Sequence, residues 1–353
     1  MSSTLNPTDY SAIKPNKPWQ ASPKDRSITA GMFTIALLVA VLSVKFTGFS
    51  GKLGFFASFV IVFIAITATR EYLRFGTALA KDTLVNTLVA VGAFITVVPI
   101  ASIIYTVVSR GIKGIYPGLF VRDMSLNAPN DPLNVGGLGH AIVGTLLLVS
   151  IALVISVPIG ILTALYLTEI KGKLSRPIKF LVQAMSGVPS IVAGLFIFSA
   201  ILMPITKENS SILGSLALAI LMVPTVARTA EEVLNLIPND LREAGIALGG
   251  TQWRTVAMVV VPAARSGLLT SVILGIARVA GETAPLLLTI LGNTATNLNP
   301  FNGPISALPL YTFTLMKTGL DVAITRAWGG ALILLTLVLV LFISARLLSG
   351  KKR

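Results

Sequence analysis

Cysteine is absent from the 353 residues, and histidine occurs once, as His140. Disulfides, thiolate metal centres and cysteine nucleophiles are therefore excluded, and one imidazole cannot build a histidine metal site. Charge is also scarce. Only 12% of residues are Asp, Glu, Lys or Arg, about half the roughly 25% usual in soluble domains. No stretch reads G-x-x-x-x-G-K-[ST]: the Gly-Lys pairs at Gly51, Gly172 and Gly350 lack the upstream glycine, so the chain is not expected to bind ATP. No segment alternates with the period of a membrane barrel, and no repeat of 20 to 50 residues is present. An enzyme would need converging catalytic groups, and these residues supply none.

Apolar residues make up 54% of the chain, and they fall in runs. Eight stand out: 28–44, 53–69, 83–108, 138–167, 178–204, 212–227, 267–291 and 328–348. Several exceed the roughly 18 residues that indicate a membrane span. In lipid every backbone group must find its partner within the protein, so such runs form helices. The expectation is an all-α polytopic membrane protein of about eight transmembrane helices, surrounded by lipid. Its divisions are a polar, Pro-rich tail over 1–27, a two-helix hairpin over 28–82, a six-span domain over 83–348 and a basic tail over 349–353. The first tail precedes any apolar run, the reverse of a secretory leader.

Orientation follows from Lys and Arg. With the N-terminus inside, the clusters Lys14 to Arg26, Arg70 to Lys81, Lys171 to Lys179, Arg228 to Arg265 and Arg346 to Arg353 all face the cytoplasm. Far fewer basic residues then lie outside, which places both termini in the cytoplasm. The net charge of +14 follows from these loops, and no basic soluble domain is present to bind nucleic acid.

The longest inner connection, 228–265, is patterned like structure. Asp240 and Glu243 form a capping-box-like start. Leu241, Ala244, Gly245 and Leu248 then share one helical face, and Gly249 and Gly250 end the helix. Thr251 can cap a second short helix carrying Trp253, Val256, Ala257 and Val260 on one face, closed by Pro262. Two amphipathic pieces with a break between them suit docking into a groove of another protein. Packing on the chain's own membrane domain is the other reading.

"ILGIARVAGETAPLLLTI" (273–290) places Arg278 and Glu282 inside an apolar run. An ionised side chain at that depth costs at least about 2.5 kcal/mol. At a spacing of four they share a helix face and can pair, either to fix packing or to set Arg278 facing a central pathway. A guanidinium there suits bidentate recognition of an oxyanion. "SGVPSIVAG" (186–194) predicts a kinked span, with Ser186 and Ser190 offering hydroxyls. His140 reads as an interfacial side chain, and Glu169, Glu231 and Glu232 as solvated charges.

Glu243-Ala244-Gly245, three residues, Gly249, nine residues and then Val259-Val260-Val261-Pro262 resembles the E-A-A loop of ABC-importer permeases. The departures are Gly245 for the third small residue and Val for Ile and Leu. The stretches 136–149, 186–196, "LREAGIALGGTQW" and "ARVAGETAPLL" are similar to the permeases of ABC-type phosphate importers, in their PstA-type branch. The resemblance covers roughly 83–348 and leaves the hairpin outside a six-helix type I core.

It implies a bacterial cell-membrane subunit that forms half of a phosphate pathway. The pathway residues implied are Arg278, Glu282, Ser186 and Ser190. Leu241, Glu243, Ala244, Gly245, Leu248 and Gly249 would form a coupling helix seated on a separate ATPase. The implied partners are two copies of that ATP-binding subunit, which hold ATP and Mg, a second permease of PstC type and an extracytoplasmic phosphate-binding protein. An importer of another oxyanion or phosphonate, or an ion-coupled secondary transporter, fits the same residues less fully.

Overall fold

The computed structural model describes residues 23–46 and 51–349. The tails expected at the two ends lie mostly outside the described residues, as do residues 47–50 of the first turn. The described chain is helical: α1 (Pro23–Phe46), α2 (Gly51–Phe75), α3 (Thr77–Gly111), α4 (Gly139–Leu165), α5 (Ser175–Ser186), α6 (Ser190–Ile197), α7 (Ser211–Asn235), α8 (Asn239–Ala247), α9 (Gln252–Thr255), α10 (Val261–Val279), α11 (Ala284–Thr289), α12 (Leu308–Lys317) and α13 (Asp321–Ser349). Three π-helical stretches extend them: Tyr166–Ile170 after α4, Phe198–Thr206 after α6 and Val256–Val260 between α9 and α10.

Among the described residues, seven helices are long and apolar enough to cross a membrane. An eighth span exists only if α5 and α6 count as one, and these are bent by 104° at their junction. The kink expected within the run 178–204 is therefore a sharp corner. Gly187 and Val188 leave the helical ladder, and Pro189, extended at ψ 139°, ends it before α6 begins. Proline lacks the N–H the ladder needs and pushes the preceding residue out of helical geometry.

A second difference lies in the seventh apolar run. The helical path starts at Gln252, passes through the π turn and continues in α10 to Val279, where it breaks. Pro262 does not close the short helix. It follows the wider π turn as an early residue of α10, where a missing N–H costs nothing.

The chain divides into two compact units, Met1–Ile103 and Ile104–Arg353. The expected boundary between 82 and 83 lies inside α3. In the first unit α1 and α2 pack closely, with Ala36 and Ala40 fully buried. Phenylalanines complete it: Phe33 meets Phe59 edge-on at 5.0 Å, and Phe56 stacks on Phe94 at 5.9 Å.

The second unit is built around α4 and α7, whose small residues permit close approach. A Cβ on Gly160 would lie 2.8 Å from a Val226 methyl. Leu148, Ala152, Leu218, Met222 and Val226 form the centre, joined by Leu286 and Ile290 of the α11 region. Polar groups within it are satisfied locally: the Ser215 hydroxyl donates to the Leu148 carbonyl at 3.1 Å.

At one end, Arg326 of α13 is almost fully buried and holds the loop between α3 and α4. Its guanidinium donates to the carbonyls of Asp131, Pro132 and Val135 at 2.6–2.9 Å. His140, read as interfacial, is 2% exposed and sits edge-on to Tyr311 at 5.4 Å. Neither of its ring nitrogens has a protein partner.

Candidate functional site

The stretch carrying Arg278 is interrupted at the charged residues. α10 ends at Val279, a turn spans 280–283, and α11 starts at Ala284. Pro285 has no N–H to give, and its ring would collide with the carbonyl of a continuous helix at Gly281. Arg278 and Glu282 therefore do not share a helical face. Among the described residues the ion pairs are Arg70–Glu71, Lys179–Glu231 and Arg242–Glu169. The expected Arg278–Glu282 pair is absent.

Arg278 instead projects from the last turn of α10, exposed, and its Nη1 donates to Thr225 Oγ1 on α7 at 3.2 Å. Thr225 donates its own proton to the Leu221 carbonyl, which leaves its oxygen free to accept from Arg278. The threonine follows Pro224 inside α7, and no spacing in the sequence ties it to Arg278. Glu282 is half-buried in the turn, with its backbone N–H bonded to the Val279 carbonyl at 3.2 Å.

The corner at α5–α6 lies against this break. A Cβ on Gly194 would come 2.5 Å from Pro285 Cα, so α6 and α11 touch backbone to backbone. The two motifs meet there, glycine against proline. Ser186 donates to the Val182 carbonyl of its own helix at 2.9 Å, and Ser190 opens α6 half-buried. Neither serine hydroxyl bonds to Arg278 or Glu282.

The loop expected over 228–265 is shorter: 228–235 are the last turns of α7 and 256–265 continue into α10, leaving α8 and α9 between them. Helix α8 begins one residue before the expected cap, at Asn239, and no side chain caps it. Its C-terminal end is as the glycines require: Gly249 has φ +82° and the Gly250 N–H returns to the Gly245 carbonyl. Leu241, Glu243, Ala244, Leu248 and Gly249 are all exposed, and Leu248 is 90% exposed.

Gly245 departs from that face. It turns inward, where a Cβ would lie 2.6 Å from Thr255 Cγ2, so its smallness serves packing of α8 on α9. Thr251 caps α9 by accepting from the Arg254 N–H. The single face expected on the second piece splits at the π turn. Val256 and Val260 are buried, whereas Trp253 and Ala257 point outward.

Glu169, read as solvated, is buried beneath this hairpin. Its carboxylate receives the Arg242 guanidinium in a two-pronged bond, Nη2 to Oε1 at 2.8 Å and Nε to Oε2 at 3.0 Å. Hydrogen bonding to Glu169 raises the Arg242 pKa, against the opposing effect of burial. Glu231 is likewise paired, with Lys179 at 2.8 Å. A polar cavity of about 450 Å³ lies beside Glu169 and Arg242, lined by Asn235, Asn239 and Gln252 among others. In sequence Arg242 and Glu169 are 73 residues apart, and only the fold joins them.

Among the described residues, membrane-length helices, a broken span bearing Arg278 and a short exposed helix α8 between spans make the build of a membrane transport subunit. The family model described as "Binding-protein-dependent transport system inner membrane component" matches residues 156–353, and the chain belongs to that family. Its curated relatives include phosphate transport system permease protein PstA 1 of Mycobacterium tuberculosis, 34% identical over 76% of this chain and 88% of that protein. The PstA of Pasteurella multocida is 38% identical over 77% of this chain and 95% of that one. The PstA of Haemophilus influenzae is 36% identical over 81% and 99%.

Proposed function

We propose that this chain is the permease subunit of an ATP-driven importer of inorganic phosphate and lines half of its pathway. Similarity to PstA proteins along most of their length supports the substrate. The observation that carries the pathway is Arg278: a guanidinium on a membrane helix, exposed on this chain and without a carboxylate partner. Such a group is costly in lipid and suited to a bidentate oxyanion. Thr225 orients it, and the weak hold of one hydroxyl leaves its other donors for the anion.

The chain itself catalyses no reaction. Leu241, Glu243, Ala244, Leu248 and Gly249 present the docking face to a cytoplasmic ATPase, present in two copies and holding ATP and Mg. A second permease of PstC type completes the pathway, and an external binding protein delivers phosphate. Both termini lie in the cytoplasm, at the bacterial cell membrane. ATP-driven closure of the ATPases pushes the coupling helices together, and the spans rock between inward-open and outward-open packings.

The test is recovery of the intact complex through a tag on this chain, with phosphate uptake measured in cells. An ATPase and a second permease should be recovered. Arg278→Ala should assemble normally and lower uptake by about tenfold or more, the loss of a charged hydrogen bond. Normal uptake by that variant removes Arg278 from the pathway.

A further inference from the structure

Helix α8 contains no buried residue. Apolar burial therefore does not fix it to the membrane domain, and polar anchors must. One side chain supplies most of them. Besides its two-pronged bond to Glu169, Arg242 donates Nη1 to the Ile237 carbonyl at 2.6 Å and Nη2 to the Leu234 carbonyl at 2.9 Å. Gln252, at the start of α9, donates to the main-chain carbonyl of Glu169 at 2.6 Å. The π turn after α4 and the end of α7 thus converge on a guanidinium carried by α8, and the start of α9 is tied to the same Glu169.

The arrangement is stiff for physical reasons. The Arg242 and Glu169 side chains are 19% and 6% exposed, so water screens the pair far less than it screens a surface pair. The guanidinium is planar, and its fork fixes direction as well as distance. Gly245 adds a hard contact, seated directly on Thr255. A displacement of α8 along the membrane face cannot be absorbed locally without breaking charge-assisted bonds.

We propose that Arg242 and Glu169 are the positioning pair that transmits movement of α8 to the membrane helices α4 and α7. This rests on the reading of α8 as the ATPase docking element. Arg242 is half-buried and turned toward Glu169, whereas Leu241, Ala244 and Leu248 are exposed, so it acts through Glu169 and the two carbonyls. Lysine at 242 would keep the charge but could not reach the carboxylate and both carbonyls together.

The test uses the full complex with its second permease, ATPase and external binding protein in proteoliposomes. Phosphate uptake and ATP hydrolysis are read on the same preparation for R242Q, E169Q, R242K and R242Q/E169Q. The ATPase should co-purify with every variant. Phosphate moved per ATP hydrolysed should fall about tenfold in R242Q, within the range of measured couplings between sites. The double variant should lose no more than R242Q alone, because both changes break one link, and R242K should recover part of the loss.

Unchanged uptake per ATP in R242Q overturns the proposal, and so do losses that multiply in the double variant. Departure of the ATPase from R242Q also overturns it, since Arg242 would then only hold the docking helix in place. Should R242Q fail to fold, E169Q and R242K carry the same comparison. A wild-type preparation lacking any ATPase would instead remove the docking reading itself.

Discussion

Glycines divide by what surrounds them, and the sequence reveals only some of their roles. Gly249 was legible as a helix stop, because two glycines after an amphipathic run leave few other options, and its φ is +82°. Gly194 read only as part of a kink, yet it meets Pro285 backbone to backbone. Gly194→Val should therefore destabilise the α6–α11 contact by about 1–3 kcal/mol, lowering the melting temperature of the purified complex. In sequence Arg326 is one more positive charge at the start of an apolar run. No periodicity could show that it satisfies three carbonyls some 190 residues earlier. Arg326→Leu should expose those carbonyls at about 1–3 kcal/mol each, seen as faster proteolysis within residues 116–138. A variant as protease-resistant as the parent would show that the loop is held by other contacts.

At the scale of elements, the positions of the apolar runs were readable and their shapes were not. A run of leucine, isoleucine and valine has the same composition whether its helix is straight, bent by 104° as at α5–α6, or broken as at α10–α11. Prolines marked the places but not the outcomes: Pro189 and Pro285 stand where a new helix starts after a break, whereas Pro262 is carried by a preceding π turn. The hairpin of α8 and α9 was legible because its small residues, paired glycines and Thr251 cap agree, although the expected capping box at Asp240 and Glu243 does not form. Its inner anchor, Arg242 on Glu169, was not, since contact across elements leaves no local spacing. Glu243 is exposed on α8, so Glu243→Lys should leave the fold and the Arg242 bonds intact. Its expected effect is on docking: less ATPase recovered with the permease and lower phosphate uptake, with unchanged thermal stability of the chain. A drop in stability with full ATPase recovery would place Glu243 in the fold instead.

At the scale of the whole molecule, Arg278 is exposed on the second unit, held by one hydroxyl among the described residues. A guanidinium facing hydrocarbon costs at least about 2.5 kcal/mol, and one hydroxyl at 3.2 Å offsets little of it. The side chain must face water, and within a membrane water needs a cavity enclosed by further helices. On the function proposed above, a second permease set against this face would supply that enclosure. The absence of cysteine allows a direct measurement. Cysteine placed at Arg278 in the assembled complex should react with a membrane-impermeant thiol reagent, and the rate should change when ATP is added. Cysteine placed at Ile103, exposed within the apolar span of α3, should stay unlabelled in both conditions. Equal protection of both positions would put Arg278 against protein or lipid, and phosphate would then need another route through the bundle.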